Sequence, residues 1–164
     1  MAGEKSSTWK IVLGIIVIIF IGIQFIPVDR TNPPVTSDIP APPEVKSVLH
    51  RACYNCHSNE TDWPWYSSVA PSSWLVAHDV HEAREHMNWS HWDQYDADDQ
   101  EDFIKGIWKM VDKGEMPLWY YQIAHPESKL SEQDKMTIKN WSNSATADSA
   151  STSMGGHEES EEED

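Results

Sequence analysis

The chain has 164 residues, room for one compact domain with appendages, and a formal net charge of −15. That charge excludes a basic patch for DNA or for an anionic membrane surface. Two cysteines are the whole supply, which excludes a disulfide framework. The acidity is uneven: Glu158, Glu159, Glu161, Glu162, Glu163 and Asp164 crowd the end of the chain.

Residues 11–28 are nearly continuous isoleucine, valine, leucine and phenylalanine, broken only by Gly14, Gly22, Gln24 and Pro27. As one helix the run reaches roughly 27 Å, near the ~30 Å hydrocarbon thickness of a bilayer. It predicts a single transmembrane anchor over 11–28. A cleaved signal peptide has a shorter apolar core followed by small residues, whereas this run continues into Gln24, Phe25, Ile26 and Pro27. Lys5 and Lys10 precede the run and Arg30 alone follows it closely, a bias that puts residues 1–10 in the cytoplasm. Residues 29–43 carry Pro33, Pro34, Pro40, Pro42 and Pro43 with no apolar period. They predict a semi-extended linker that holds a domain away from the bilayer.

The folded domain is expected over 44–142. Pro43 suits a first helical position, and Val45, Val48, Leu49 and Ala52 then form one apolar stripe at i, i+3, i+4 and i+7. The stripe runs into Cys53-Tyr54-Asn55-Cys56-His57, the C-x-x-C-H spacing of covalent c-type haem attachment. Two thiols one turn apart can add to the two vinyl groups of one porphyrin, and the adjacent imidazole then meets the iron. A thioredoxin-like dithiol would need a βαβ setting, and the surroundings read as helical. A zinc site would need two more ligands at short spacing, and the His78, His81 and His86 pairs lie beyond that. A disulfide across two intervening residues is strained and removes little loop entropy. Nine tryptophans suit a small protein wrapped around a flat apolar cofactor, although each is individually a core residue first.

Pro64 forbids helix through the aromatic turn at 61–66. Helical patterning resumes over 71–87, with Val76, Val80, Ala83 and Met87 as the expected buried seam, Ala77, His81 and Arg84 flanking it, and His78 outward. Asp98, Asp99 and Glu101 mark another helix start, Phe103, Ile104, Ile107, Trp108 and Val111 continue it, and Gly114 stops it. A last helix opens at Ser131 and turns Ile138 and Trp141 inward. From Asn143 to Asp164 the chain is Ser, Thr, Ala, Gly and acid, which predicts a disordered acidic tail with His157 a solvated bystander.

With His57 on one face of the iron, the other face separates a carrier from a reactive centre. Met116 is the leading sixth ligand: it follows a helix stop and Pro117 stiffens its loop. A core methionine filling a gap is the bland reading of the same residue. His81 is the named alternative, with His50, His86, His91, His125 and an open site behind it.

Several separated blocks resemble the bacterial haem-binding domain family of c-type cytochromes. They are Arg51 to Thr61 around the cysteines, Trp63-Pro64-Trp65-Tyr66, Asp79-Val80 with Arg84, Asn88, Ser90 and Trp92, Met116-Pro117, and His125-Pro126-Glu127 with Leu130-Ser131. The resemblance covers roughly 44–141 and departs at Ala83, where a glycine commonly precedes the arginine. It implies one haem c held by Cys53 and Cys56, His57 on iron, and a distal ligand from Met116-Pro117. The expected fold is all-α: a small cytochrome c-like helical domain behind one transmembrane helix. The expected function is single-electron transfer on the periplasmic side of the inner membrane, to redox partner proteins or within a respiratory membrane complex. It involves no nucleic acid and is more a carrier than an enzyme. Arg51 and Arg84 are candidate partners for the haem propionates. The competing readings are a haem-based sensor or peroxidase-like enzyme with an open distal site, and a non-catalytic haem subunit of a respiratory complex.

Overall fold

The computed structural model describes the backbone of residues 4–155 and the side chains of 8–147. Residues 1–3 and the acidic end at 156–164, His157 included, lie outside the described residues. Among the described residues there are seven α-helices and no strand: α1 (Glu4–Ile23), α2 (Pro43–Ala52), α3 (Tyr54–His57), α4 (Ser72–His86), α5 (Ala97–Asp112), α6 (Trp119–Ala124) and α7 (Glu132–Gly155). Short 3-10 turns at Trp65–Ser68, Trp89–Gln94 and Pro126–Ser128 join them.

The core forms where three amphipathic stripes meet. Val45, Val48 and Leu49 of α2 pack with Ile104, Ile107 and Val111 of α5 and with Ile138 and Trp141 of α7, and Tyr54, Met87, Trp89 and Trp92 close the cluster. Each fully buried aliphatic side chain contributes about 1.5–3 kcal/mol. The ends are set by local chemistry. Pro43 opens α2 and Asp96 caps α5 by accepting from the Asp99 amide. Ser131 and Asp134 exchange hydrogen bonds across the start of α7, Ser131 N–H to Asp134 Oδ2 at 2.8 Å and Asp134 N–H to Ser131 Oγ at 3.1 Å. Gly114, at φ +70°, ends the α5 run in the left-handed region, and the Glu115 and Met116 amides fold back onto Met110 O.

Four expectations need correction. The apolar run is not helical throughout: α1 stops at Ile23, where the amides of Gln24, Phe25 and Ile26 make tight three-residue bonds to Ile21, Gly22 and Ile23. Among the described residues no helix is long and apolar enough to cross a membrane. The apolar part of α1 is roughly 20 Å long, short of the ~30 Å hydrocarbon layer.

The segment 29–43 is not a spacer. It has no regular structure up to Pro42, yet it lies on the domain as a strap: the Thr36 and Ser37 amides donate to Ser90 O, Asn59 Nδ2 donates to Pro34 O, and Ile39 is 0% exposed within the core. The domain therefore begins with the strap, ahead of residue 44. In α4 the buried residues are Ser73, Ala77 and Val80, so the seam sits one position from the expected Val76 line, and His78 is exposed as expected.

Finally, α7 continues through 143–155, where a disordered tail was expected. Ser142 Oγ donates to Ile104 O, Thr146 Oγ1 donates to Ser142 O, and Ala145 packs against the core.

Candidate functional site

Cys53 ends α2 and begins the next turn, and its carbonyl accepts from both the Cys56 and His57 amides at 3.0 Å. This bifurcated turn fixes the two thiols and the imidazole as one unit. Tyr54 anchors it, buried in the core with its phenol donating to Asp38 of the strap. Asn55 anchors it again: its side chain accepts from the Asp62 amide and donates to Tyr121 Oη, while its carbonyl accepts from Thr61 Oγ1.

Beside the turn lies a cavity of about 420 Å³, inside the range of small-molecule and cofactor pockets. Cys53, His57, Trp89, Phe103, Ile107, Met110 and Met116 line it. His57 Nδ1 is 3.2 Å from the Met87 carbonyl oxygen and is the donor, since a carbonyl only accepts. That tautomer leaves Nε2 as a bare lone pair, the atom that ligates a metal. Burial also holds the His57 pKa below its ordinary value, which favours the neutral, ligating form. Trp89 lies nearly parallel to the imidazole, centroids 5.6 Å apart and planes at 22°, and holds its rotation.

Cys53 and Cys56 are both free thiols. Burial, and then the neighbouring Cys56, pushes the Cys53 thiol up to about 12. Burial and then Asp79 push Cys56 up to about 11. Both stay protonated at neutral pH, which makes them poor metal or disulfide nucleophiles until something draws on them. Cys56 does not line the large cavity. It opens onto a neighbouring one of about 200 Å³, with Tyr66, Asp79, Tyr120 and Tyr121. The phenols there are tied down: Tyr120 Oη donates to Asp79 Oδ2 at 3.0 Å, and Tyr66 Oη is 2.7 Å from His125 Nε2.

The sequence-predicted ligands divide clearly. Met116 lines the large cavity with His57 and Cys53, and so does His86. His81 lines neither cavity. His125 is occupied by Tyr66, by Glu127 at 3.0 Å and by the Tyr121 ring stacked at 4.4 Å. His91 is held between Thr36 and Asn59, and His50 stacks on Tyr54 at the surface.

The two arginines also have other work. Arg51 pairs with Asp134 of α7 at 2.8 Å. Arg84 donates to Ser58 O, Thr31 O, Asn32 Oδ1 and Thr61 Oγ1 at 2.8–3.0 Å, tying the strap to the loop after His57. The lysines on the large cavity are Lys109 and Lys113, four apart at the end of α5; Asp102 shares the lining, and Lys113 lies 3.9 Å from Glu115. Sequence reading missed them and Met110, although helical spacing from Ile107 leads to both Met110 and Val111.

This donor set fits a haem. An imidazole with its second nitrogen already held and a thioether on the lining of the same largely apolar cavity are the donors a haem iron takes, and the Cys53 thiol lies on that cavity with them. No curated protein and no solved structure matches the chain significantly. Residues 18–144 match the model of the haem-binding domain, a span that takes in the strap as well as the helices, and the chain belongs to that haem-binding family.

Proposed function

We propose that this protein is a membrane-anchored c-type cytochrome that carries single electrons through one covalent haem. The observation that carries the reading is the placement of His57. Its Nδ1 is held by Met87 O, its ring is fixed by Trp89, and its cavity is shared with Cys53 and Met116. In this reading the Cys53 and Cys56 thiols would anchor the haem, and His57 and Met116 would hold its iron. Lys109 and Lys113, which line the cavity, would be the partners of the propionates in place of Arg51 and Arg84. When bound, haem supplies the one-electron change. The chain's part is to exclude water with Phe103, Ile107 and Trp89 and to keep the His57 imidazole neutral and oriented. Thioether ligation at Met116 would raise the potential.

The acid test is covalency: haem should stay with the chain through denaturation and acid-acetone extraction, and Cys53→Ala or Cys56→Ala should weaken that retention. Quantitative extraction of free haem would sink the c-type reading. Met116→Ala should abolish a weak far-red sulfur-to-iron band and open the reduced iron to carbon monoxide, with His81→Ala silent. His86 also lines the cavity, so it is the second distal candidate. If His86→Ala, and not Met116→Ala, changes the coordination, the histidine takes the site. Immediate carbon monoxide binding by the unaltered protein would favour the open-site sensor or enzyme.

The membrane part of the proposal rests on the surface of α1. Ile11, Val12, Leu13, Ile15, Ile16, Val17, Ile18, Ile19, Phe20 and Ile21 are all exposed, Ile18 at 71%, around every side of the helix. A helix apolar all round belongs in a core or a bilayer. C-type haem is attached outside the bacterial cytoplasmic membrane, so the haem domain is assigned to the periplasmic side of the inner membrane. Its partners are assigned as redox proteins there. Protease added after opening the outer membrane should release the domain; cleavage only after inner-membrane lysis would reverse the orientation.

A further inference from the structure

The end of α1 is fastened to the haem domain. The Ala70 amide donates to Gln24 Oε1 at 2.9 Å, and Gln24 Nε2 donates back to Ala70 O at 3.2 Å and also to Phe20 O. Arg30, six residues on, donates to the hydroxyl of Ser68. Ala70 is 3% exposed, so the partner in this lock belongs to the folded body and not to a loose loop. The same short segment presents Trp65, 80% exposed, and Val69, also exposed, to the outside. Tryptophan is the residue most suited to the boundary between headgroups and acyl chains, where its indole is half apolar and half wet. A freely exposed Trp at that position is otherwise an uncompensated apolar surface.

Resting on the membrane reading of α1, we propose that residues 65–70 form an interfacial foot that seats the haem domain on the bilayer surface, with Trp65 and Val69 at headgroup level. The Gln24 lock decides this. It sets residue 70 beside the end of the apolar helix, so a bilayer whose surface lies at that end of α1 meets the 65–70 segment there. The lipid is committed by charge: Glu60 and Asp62 are exposed close by in sequence, Arg30 is one cation near them, and the chain is strongly acidic. That balance favours zwitterionic headgroups over anionic ones.

The test uses the full chain reconstituted in phosphatidylcholine vesicles doped with a phospholipid that bears a carbene photoprobe at the top of its acyl chain, with crosslinked peptides mapped by mass spectrometry. Crosslinks are expected on α1 and on the peptide containing Trp65 and Val69. Gln24→Ala should lower the second set by about an order of magnitude, the effect of removing a pair of part-buried hydrogen bonds, and leave the α1 set unchanged. Trp65→Ala, at an exposed site that cannot unfold the domain, should lower it as well. Crosslinks on α1 with none on 65–70 would overturn the foot and leave the anchor standing. No crosslinks on α1 would overturn the anchor and the foot together. Labelling of 65–70 that ignored both substitutions would overturn the lock as its cause.

Discussion

Replacing Arg84 by methionine keeps most of the stem volume and removes the guanidinium that joins the strap to the haem-site loop. Two of its four hydrogen bonds reach buried residues, Ser58 at 0% and Thr61 at 5% exposure, and their acceptors would be left without a donor. The other two reach Thr31 and Asn32, which are exposed and recover water at little cost. Charged hydrogen bonds contribute about 1.5–3 kcal/mol each, so the buried pair sets the loss at about 3–6 kcal/mol. For a domain of this size that lowers Tm by about 10 °C or more. Urea unfolding followed by far-ultraviolet circular dichroism measures the loss, and hydrogen exchange locates it. The amides of Thr36 and Ser37 should exchange much faster, while Val48 and Leu49 in α2 keep their protection until global unfolding. Arg84→Lys should fall between, since an ammonium cannot span four acceptors. A loss below about 1 kcal/mol, or exchange that rises evenly along the chain, would refute the clamp.

Gly114→Ala meets no neighbouring atom but must hold φ +70°, so it should cost about 1 kcal/mol and disturb the far-red band through Met116, which is positioned by the same turn. An unchanged spectrum would separate the turn from the ligand. Burial raises the Asp134 carboxyl, but the Ser131 hydroxyl and amide and the Arg51 guanidinium outweigh it and hold the pKa below its ordinary 3.8. A depressed carboxylate stabilises the fold above that ordinary value and loses the contribution as pH falls through the folded one. Asp134→Asn should therefore cost about 1 kcal/mol at pH 7, and the gap from the unaltered protein should close below about pH 4 in urea titrations. Truncation after Ser142 removes the Thr146 bond and the Ala145 contact and should lower Tm by a few degrees; an unchanged melt would mean that the extension of α7 adds no packing.

The elements most legible from sequence are those whose cause is local. The α2 stripe, the Gly114 stop, the Ser131 start and the inward Ile138 and Trp141 all follow from spacing within one or two turns, and each is where periodicity places it. The motif pointed to Cys53, Cys56 and His57, and the helix stop before Pro117 to Met116: Cys53, His57 and Met116 line one cavity, whereas Cys56 opens onto another. What spacing hides is contact over long separation. The strap has no period because it is held through backbone atoms, Thr36 to Ser90 and Asn59 to Pro34, and a proline-rich composition looks the same lying on a domain or away from it. Arg51 and Arg84 are two cations near a motif until Asp134 and Thr31 arrive from distant parts of the chain. The end of α7 is polar enough to read as coil, and helix there is an extension of a stem already fastened by Trp141 and Ser142.

The strap has a consequence for which changes this chain tolerates. Proline-rich segments between domains usually accept insertions and deletions freely, because only their reach matters. Here Gln24 and Arg30 fasten one end, Ile39 is embedded near the other, and Asn32, Pro34 and Thr36 are matched to fixed partners between them. One added or lost residue would put every later partner out of step. Natural variation in this stretch should therefore fall on residue identity at exposed positions such as Pro33 and Val35, while its length stays constant. A soluble version of the domain must also begin before Asp29, since a cut at Pro43 would remove Ile39 and leave the Arg84 guanidinium without its Thr31 and Asn32 acceptors.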